Sequence, residues 1–287
     1  MANYNFVYMG DTWIAKSPTS SVLNYTGEFV FNDALVKAML QKPRFILHGG
    51  DAVFTGDKPS LRYFRNEKVG KVVPASTPFY VSPGNHDALF TTVNGHTRIS
   101  FANFKQIIGP LNFTINAPDL KMVVLNTVHI QRDSQGNDRF VYGLTTAQLN
   151  FLARALKNSS ARFKLVSTHV PPDEWANTPT MNANKARFMR ILTNNHVSLV
   201  LLSHQHQFRD YTNSGVRFIV SGGAGAALDR LGINELILIK VRGNQLDAQV
   251  LPISWLDNRS FPPKTTVQAS PSATRRTLRT PRTRTTL

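Results

Sequence analysis

Acidic, amide and histidine side chains follow several short apolar segments of this chain, each at the point where the segment ends. Two segments lead into Gly-Asp pairs, and the others lead into asparagine or histidine. The series is Asp11, Asp51, Asn85-His86-Asp87, His169 and His204-Gln205-His206. In layered α/β proteins, ligands gather where the carboxyl ends of strands release their loops. We therefore expect residues far apart in the sequence to meet at one sheet edge.

This combination of groups is typical of hydrolysis at a pair of divalent metal ions. Two ions about 3.5–4 Å apart generate a hydroxide nucleophile and neutralise the oxygens of a phosphoryl group. His204 and His206 follow the apolar run "VSLVLL". On extended backbone, residues i and i+2 point the same way, so each histidine can reach one of two adjacent ions. The chain has no cysteine, which leaves imidazole, carboxylate and amide ligands, suited to ions such as Mn, Fe or Zn.

The stretch "VSPGNHDAL" is the most specific of these motifs. Gly84 permits a tight turn after a strand, and Asn85 offers an amide oxygen. His86 can protonate a leaving oxygen, and Asp87 beside it can orient and charge that imidazole. Alone, the stretch also suits an ordinary polar turn. In order with the other motifs, it predicts that His86 and Asp87 are catalytic.

The elements that must position these groups are short strands that alternate with helices. Helical patterns occur at about 28–40, 100–108, 145–156 and 183–194, and Thr145 is a plausible N-cap. Strand-like runs are Phe6–Met9, Phe45–Leu47, Phe79–Val81, Met122–Leu125, Phe163–Ser167, Ser198–Leu202, Val216–Val220, Leu236–Val241 and Ala248–Leu251. Alternation up to residue 200 predicts an α/β fold. Strands dominate beyond that point, which favours layered mixed sheets with outer helices over one doubly wound sheet.

Composition changes sharply near residue 258. The net charge is +16, and residues 258–287 hold seven basic residues and no acid among Arg, Thr, Pro and Ser. We therefore predict a catalytic domain at 1–257 and a disordered basic tail at 258–287. The tail is expected to bind nucleic acid or another polyanion through phosphate contacts, although a merely solvated tail is nearly as plausible.

The chain shows no signal that would place it in a membrane. No apolar run approaches the length that spans a bilayer, and the N-terminus lacks a signal-peptide pattern. We expect a cytoplasmic protein without a membrane partner, although a chain whose leader has been removed would look the same. The absence of cysteine fits a reducing compartment.

The motif order resembles the calcineurin-like metallophosphoesterases, and in particular the purple acid phosphatase branch. The matching stretches are "GD", "GDAVF", "GNHD", "VSTH" and "SHQH", spread over roughly residues 4 to 255. The resemblance implies a four-layer αββα sandwich of two mixed β-sheets flanked by helices. It implies a dinuclear site in which Asp51 bridges. Its first ion is held by Asp11, Asp51 and His206, and its second by Asp51, Asn85, His169 and His204.

Three positions depart from the family pattern. Most of the superfamily has a histidine at the position of Trp13, and the purple branch supplies a tyrosine at the position of Phe54. The usual glycine before the last histidine pair is Ser203. The first ion therefore keeps three recognisable ligands, completed by water or by an unrecognised residue. His48, just before Gly49, is expected near the ions.

The sequence thus predicts a metal-dependent phosphoesterase that hydrolyses phosphate monoesters by attack of a metal-bound hydroxide. Its substrate is expected to be a phosphorylated small molecule or another phosphoester. One alternative is a phosphodiesterase acting on nucleotides or nucleic acid, which the basic tail favours mildly. Another is a catalytically reduced protein that binds phosphate or nucleic acid on the same scaffold.

Overall fold

The computed structural model describes residues 2–16, 25–229 and 232–253 with their side chains, except those of Tyr25 and Thr26, and the backbone of 265–268. Two six-stranded sheets dominate it. Sheet 1 contains β1 (Asn3–Met9), β2 (Ile46–His48), β3 (Phe79–Val81), β14 (Glu235–Arg242), β15 (Gln245–Pro252) and β16 (Thr265–Gln268). Sheet 2 contains β6 (Phe113–Ala117), β7 (Leu120–Leu125), β10 (Phe163–Thr168), β11 (Val197–Leu202), β12 (Arg209–Asn213) and β13 (Val216–Val220).

Both sheets are mixed. Sheet 1 has the order β16-β15-β14-β1-β2-β3, in which β1, β2 and β3 are parallel and the rest pair antiparallel. Sheet 2 has the order β12-β13-β11-β10-β7-β6, with β7, β10, β11 and β13 parallel and antiparallel strands at both edges. The parallel strands end on the same side of the molecule, so their loops converge there.

Alternation along the strands divides the core into an inner and an outer part. In β1, Phe6 and Tyr8 join a buried cluster with Leu199 and Leu201 of β11, which shows that the sheets pack face to face. Val7 and Met9 lie on the other face of β1, because side chains alternate along a strand. They join the outer cluster that includes residues of the helices.

Helices cover the outer faces and complete the four layers. The helix α1 (Tyr25–Leu40) packs against β14, and α5 (Thr146–Lys157) and α6 (Pro179–Asn194) pack on sheet 2. Thr145 caps α5 in a capping box with Gln148, as its sequence pattern predicts. The predicted αββα sandwich is confirmed. No helix in the described ranges is both long and apolar enough to cross a bilayer.

Several smaller elements escaped the sequence patterns. They are α2 (Lys58–Arg62), a π-helical turn (Tyr63–Val69), α3 (Gly70–Val72), α4 (Ala102–Ile107), a 3-10 turn (Pro172–Glu174), β4 (Leu89–Val93), β5 (His96–Ser100), β8 (Val128–Arg132) and β9 (Asp138–Tyr142). Of these, α4 is the exception, because the helical pattern at 100–108 predicts it. The two hairpins β4–β5 and β8–β9 follow β3 and β7 and stand beside the sheet edge where the parallel strands end.

The boundary near residue 258 is largely outside the described residues. Of the tail, the structure describes only the backbone of β16, which pairs antiparallel with β15. This short stretch is therefore a strand, whereas the sequence suggested disorder throughout 258–287. For the remainder of that range, disorder and polyanion binding stay predictions.

Candidate metal centre

The loops after five parallel strands bring the predicted ligands together. Asp11 follows β1, Asp51 follows β2, and Asn85 follows β3, whereas His169 follows β10 and the histidine pair follows β11. Two sets of side chains have potential ligand atoms within 4.8 Å of one another: Asp11, Asp51 and His206, and Asp51, His169 and His204. Asp51 belongs to both sets. We name Asp11, Asp51 and His206 the first half-site. The second half-site is Asp51, Asn85, His169 and His204.

Asp51 is buried between the two half-sites and presents one carboxylate oxygen to each. Its Oδ1 lies 3.4 Å from His169 Nε2 and accepts a hydrogen bond from the backbone N–H of His86 at 2.8 Å. Its Oδ2 lies on the other side, 3.4 Å from Nε1 of Trp13. This placement is the one that a bridging carboxylate requires.

His169 and His206 are each oriented by a backbone carbonyl. Nδ1 of His169 donates to the carbonyl of Gly49 at 3.0 Å, and Nδ1 of His206 donates to the carbonyl of Ala227. A backbone carbonyl can only accept, so Nε2 of each ring is free to act as a ligand when the ring is neutral. The Nε2 of His169 faces Asn85 Oδ1 at 3.3 Å, and that of His206 faces Asp11 Oδ1 at 3.4 Å.

His204 is turned by a carboxylate that the sequence motifs did not reveal. Its Nδ1 points into the second half-site, 3.2 Å from His169 Nε2. Its Nε2 lies 3.2 Å from Oε2 of Glu174, in the 3-10 turn that follows β10. Glu174 is fixed in turn by Gln205, whose amide donates to Oε1 at 2.5 Å. A carboxylate behind a ligating imidazole fixes the tautomer and strengthens the ligand.

His86 lies at the centre as predicted, but Asp87 has a different function from the one predicted. Nδ1 of His86 contacts the carbonyl of Phe54 at 2.9 Å, which leaves Nε2 for a substrate. The buried Asp87 carboxylate instead accepts backbone N–H bonds from Asp51, Val53 and Gly84 at 2.8–3.2 Å. It therefore holds the Asp51 loop against the Asn85 loop. The expected orientation of His86 by Asp87 is wrong, because Nδ1 of His86 bonds to the Phe54 carbonyl and both carboxylate oxygens of Asp87 face backbone N–H groups.

His48 is buried beneath the two aspartate loops. Its Nδ1 accepts from the backbone N–H of Gly50 at 3.2 Å, and its Nε2 contacts Oγ1 of Thr12 at 3.1 Å. Burial lowers the pKa of His48 to about 4, against the opposing influence of Asp11 and Asp51. A neutral His48 thus ties the first loop to the second from behind and does not face the ligand positions.

The ligand loops are held in uncommon backbone conformations. Asp11, Trp13, Asp51, His204 and His206 all have positive φ values between 50° and 76°. The left-handed region is costly for residues with a β-carbon, and such strain collects at functional sites. Gly50, just before Asp51, also has a positive φ of 110°, a conformation that glycine adopts at little cost.

Gly10 is required because of its close contact with Ser203. Its φ is not positive, but a β-carbon there would overlap the side chain of Ser203. Ser203 is the residue that departs from the family pattern. Its buried hydroxyl lies 2.8 Å from the hydroxyl of Tyr8. The serine therefore fits because Gly10 leaves space and Tyr8 provides a hydrogen-bond partner.

The charges of the centre are strongly coupled. Burial opposes ionisation of Asp51, but the neighbouring His169 outweighs it and holds the pKa of Asp51 below its usual range. Burial likewise opposes protonation of His169, and Asp51 outweighs it, raising the pKa of His169 to about 9. Burial and the charge of Asp51 raise the pKa of Asp87 to about 7. Without an ion, His169 therefore carries a proton that a metal would displace.

Trp13 fills the position where most relatives have a histidine. Its indole N–H points to Asp51 Oδ2 at 3.4 Å. Its ring centroid lies 4.5 Å from that of His86, 4.7 Å from that of His206 and 5.5 Å from that of Phe54. The first half-site therefore contains an aromatic wall in place of a fourth ligand.

The donor chemistry of both half-sites fits divalent ions. The second half-site offers one carboxylate, one amide oxygen and two imidazoles, and its ligands have fixed partners. The first offers two carboxylates and one imidazole. Imidazole and carboxylate together suit Zn, Fe and Mn. The fit is complete at the second half-site and lacks one protein ligand at the first.

The comparisons with known proteins agree with this geometry. The family model for calcineurin-like phosphoesterase matches residues 5–208. The chain belongs to the calcineurin-like phosphoesterase family. The matched range includes every residue of both half-sites, together with His86. A search of curated proteins found no match.

Solved structures share the fold at low sequence identity. A dimetal phosphatase from Danio rerio is 13% identical with a TM-score of 0.65, covering 93% of this chain and 99% of the other. The yellow lupin purple acid phosphatase PPD1 is 12% identical with a TM-score of 0.68, covering 93% and 54%. GAP50, the anchor in the inner membrane complex of Plasmodium, is 11% identical with a TM-score of 0.60, covering 94% and 90%. At these identities the likeness concerns the fold.

Proposed function

We propose that this protein is a metal-dependent phosphoesterase that hydrolyses phosphate monoesters at a dinuclear centre. The observation that carries the proposal is the sharing of Asp51 between two sets of ligand atoms, with His86 directly beside it. The bond of His86 Nδ1 to the Phe54 carbonyl leaves Nε2 of this further imidazole for a substrate. The family membership restricts the reaction to phosphoester chemistry.

Each residue of the centre has a specific role in this proposal. Two divalent ions, when bound, would stabilise charge on the phosphoryl oxygens and lower the pKa of water. The first half-site would hold one ion and the second half-site the other, with Asp51 common to both. His86, held by the Phe54 carbonyl, donates a proton from Nε2 to the departing oxygen. Asp87 keeps the loops of Asp51 and His86 in register.

The two half-sites are proposed to bind their ions with unequal affinity. The second has four protein ligands, of which His204 is supported by Glu174. The first has three, and the indole N–H of Trp13 is directed at the oxygen of Asp51 that would face its ion. The missing fourth ligand is the main cause of the weaker binding, because the other carboxylate oxygen of Asp51 also accepts an N–H bond, from the backbone of His86 at 2.8 Å.

The ligand set also predicts a centre without the visible absorption that iron-bound tyrosinate produces. Phe54 occupies the position of the tyrosine in the purple branch, and its ring faces Trp13 and His86. A phenyl ring has no oxygen to coordinate iron. Iron-loaded protein should therefore lack an intense visible charge-transfer band, and an intense tyrosinate band in the wild type would contradict this part of the proposal.

A catalytically reduced binding protein is the second candidate, favoured by Trp13 in the first half-site. Metal analysis with turnover of nitrophenyl phosphate, bis-nitrophenyl phosphate and RNA separates the candidates. A monoesterase turns over the first substrate best, and a diesterase prefers the second or RNA. Metal-dependent phosphate binding without turnover of any of them would support the reduced protein and overturn the proposed activity.

A further inference from the structure

A row of aromatic rings runs outward from the second half-site. The ring centroid of Tyr142 lies 5.2 Å from that of His204, and Phe140 follows at 6.3 Å from Tyr142. Phe90 is the outermost, at 5.4 Å from Phe140. We name these three residues the aromatic row. It starts in contact with a predicted metal ligand and ends at a phenylalanine that is 50% exposed.

The aromatic row is built on a stiff support. Phe90 lies on β4, whereas Phe140 and Tyr142 lie on β9, so two separate hairpins form it. The hairpins are joined by three hydrogen bonds, from Thr97 N to Asn137 Oδ1 at 2.9 Å, from Ile99 N to Asp138 Oδ2 at 3.1 Å and from Arg98 Nη1 to Gly136 O at 2.6 Å. These bonds fix the relative position of the rings before any ligand arrives, which lowers the entropic cost of binding.

Exposed apolar side chains gather on these hairpins. Phe90, Val93 and Ile130 are 50%, 48% and 38% exposed, and they are three of the seven large hydrophobic residues that are exposed in the described part of the chain. Phe140 and Tyr142 are half-buried with their inner sides against the core. Of these residues, Phe90 carries an exposed apolar surface that continues through Phe140 and Tyr142 to the candidate metal centre, an arrangement that is typical of a ligand subsite.

We propose that the aromatic row binds the base of a nucleotide whose phosphate lies at the two half-sites. This inference rests on the proposed function and specifies its substrate class. In an aryl phosphate the ring adjoins the phosphate and would lie beside Tyr142, the first ring of the row. The row continues outward through Phe140 to Phe90, so a ligand that uses these outer rings requires a spacer between phosphate and ring, as the sugar of a nucleotide provides. Bases stack on aromatic side chains with little dependence on sequence.

The test compares 5′-AMP and 3′-AMP with ribose 5-phosphate, which lacks the base, using the full chain supplied with Mn²⁺. Wild type should show a higher kcat/KM for at least one of the nucleotides, chiefly through a lower KM. Stacking on one aromatic side chain is commonly worth about tenfold or more in affinity. In Phe90→Ala and Phe140→Leu, the nucleotide to ribose 5-phosphate ratio of kcat/KM should fall about tenfold.

Two further variants separate stacking from general damage. Phe90→Tyr keeps an aromatic face and should keep the wild-type ratio. Val36→Ala removes an apolar side chain of similar exposure, 52%, from α1, away from the hairpins, and should leave the ratio unchanged. An unaltered ratio in Phe90→Ala and Phe140→Leu, or a wild type that prefers ribose 5-phosphate, would overturn the inference without affecting the proposed phosphoesterase activity.

A direct binding measurement distinguishes the nucleotide inference from the proposed phosphoesterase activity, even when no substrate is turned over. Calorimetric titration with adenosine, which carries no phosphate, measures the aromatic row alone. The wild type should bind adenosine, and Phe90→Ala should weaken that binding about tenfold. Absence of turnover with all substrates would contradict the proposed function, whereas absence of adenosine binding to the wild type would overturn the nucleotide inference.

Discussion

The two half-sites differ although they have Asp51 in common. In the second, each imidazole has a partner that turns a ring nitrogen toward the ion position: the Gly49 carbonyl behind His169 and Glu174 behind His204. In the first, His206 has such a partner in the Ala227 carbonyl, but Trp13 occupies the place of a further ligand. The second is thus a complete ligand set and the first a partial one.

The difference teaches that the backbone of the loop after β1 does not depend on having a metal-binding side chain at position 13. The backbone around Trp13 still has the left-handed conformation, with φ of 50° at both Asp11 and Trp13. Strain at a bulky aromatic residue persists only where the surroundings over-determine it. The loop is therefore fixed by its hydrogen bonds to the Asp51 loop, from Thr12, Trp13 and Ile14, whichever side chain it carries.

The largest effect is expected from removing ligands of the second half-site. Asn85→Ala and His204→Ala each delete a ligand whose removal leaves the strands intact. Turnover of nitrophenyl phosphate should fall by about a thousandfold or more, because metal-centred charge stabilisation is the main source of catalysis. Circular dichroism should show an unchanged fold. Activity close to that of the wild type in both variants would contradict the assignment of this half-site.

A substitution at Trp13 should make the first half-site more like the second. Trp13→His should supply the missing imidazole and remove the N–H donor from Asp51 Oδ2, so the affinity for the first ion should rise about ten- to a hundredfold. Trp13→Phe is the matched control, since it removes the N–H without adding a ligand and should raise the affinity only slightly. Calorimetric titration with Mn²⁺ measures both. Equal affinities in the wild type and in Trp13→His would show that the indole position does not limit metal binding.

Glu174 tests whether the strength of the second half-site depends on support behind its ligands. Glu174→Gln retains the size of the side chain but weakens the hold on His204 Nε2, and the second-ion affinity should fall about tenfold. Glu67→Gln makes the same change at a glutamate outside both half-sites, which pairs with Lys71 at 2.7 Å, and should leave that affinity unchanged. If the two variants behave alike, Glu174 has no special function toward His204.

The smallest expected effect concerns the loop beside the first half-site. Glu235 is buried and accepts from Ser221 Oγ at 2.7 Å and Gly222 N at 2.8 Å. This loop continues to Ala224 and Ala226, whose N–H groups bond to the Asp11 carbonyl. Burial raises the pKa of Glu235 to about 8. The folded state thus keeps a proton that the unfolded state loses, and stability should fall as pH rises from about 4.5 through about 8.

Glu235→Gln should remove this pH dependence while keeping the acceptor oxygen. Denaturant unfolding of chelator-treated protein should show a gain of about 1–3 kcal/mol at pH 8.5 and little difference at pH 4.5. A gain of the same size at both pH values would indicate a packing effect and would exclude ionisation of Glu235 as its cause.

Sequence periodicity predicted the layers because they depend on local patterns. The apolar runs that became β1, β2, β10 and β11 are short, buried and bounded by glycine or polar residues. Once these strands are parallel, the convergence of their loops follows from topology alone. The antiparallel hairpins β4–β5 and β8–β9 were missed because their strands are largely exposed and show no continuous apolar face.

Roles that depend on three-dimensional direction were not predictable in the same way. Asp87 adjoins His86 in sequence, yet its carboxylate turns to backbone N–H groups of the Asp51 loop and to that of Gly84 in its own loop. Glu174 lies in the irregular stretch "PPDEW", where only the fold brings it to His204. A neighbouring position in the sequence sets the distance between two residues but leaves the direction of their side chains undetermined.

The inequality of the two half-sites is the central claim, and stoichiometric metal titration tests it most directly. Metal-free protein is titrated with Mn²⁺ by calorimetry. Because the chain holds three tryptophans, the difference in fluorescence between the wild type and Trp13→Phe reports on Trp13, whose ring centroid lies 4.7 Å from that of His206. The account predicts two binding events, a tight one that changes the Trp13 signal little and a weaker one that changes it strongly. Two ions bound with equal affinity, or a tight first ion that changes the Trp13 signal fully, would contradict it.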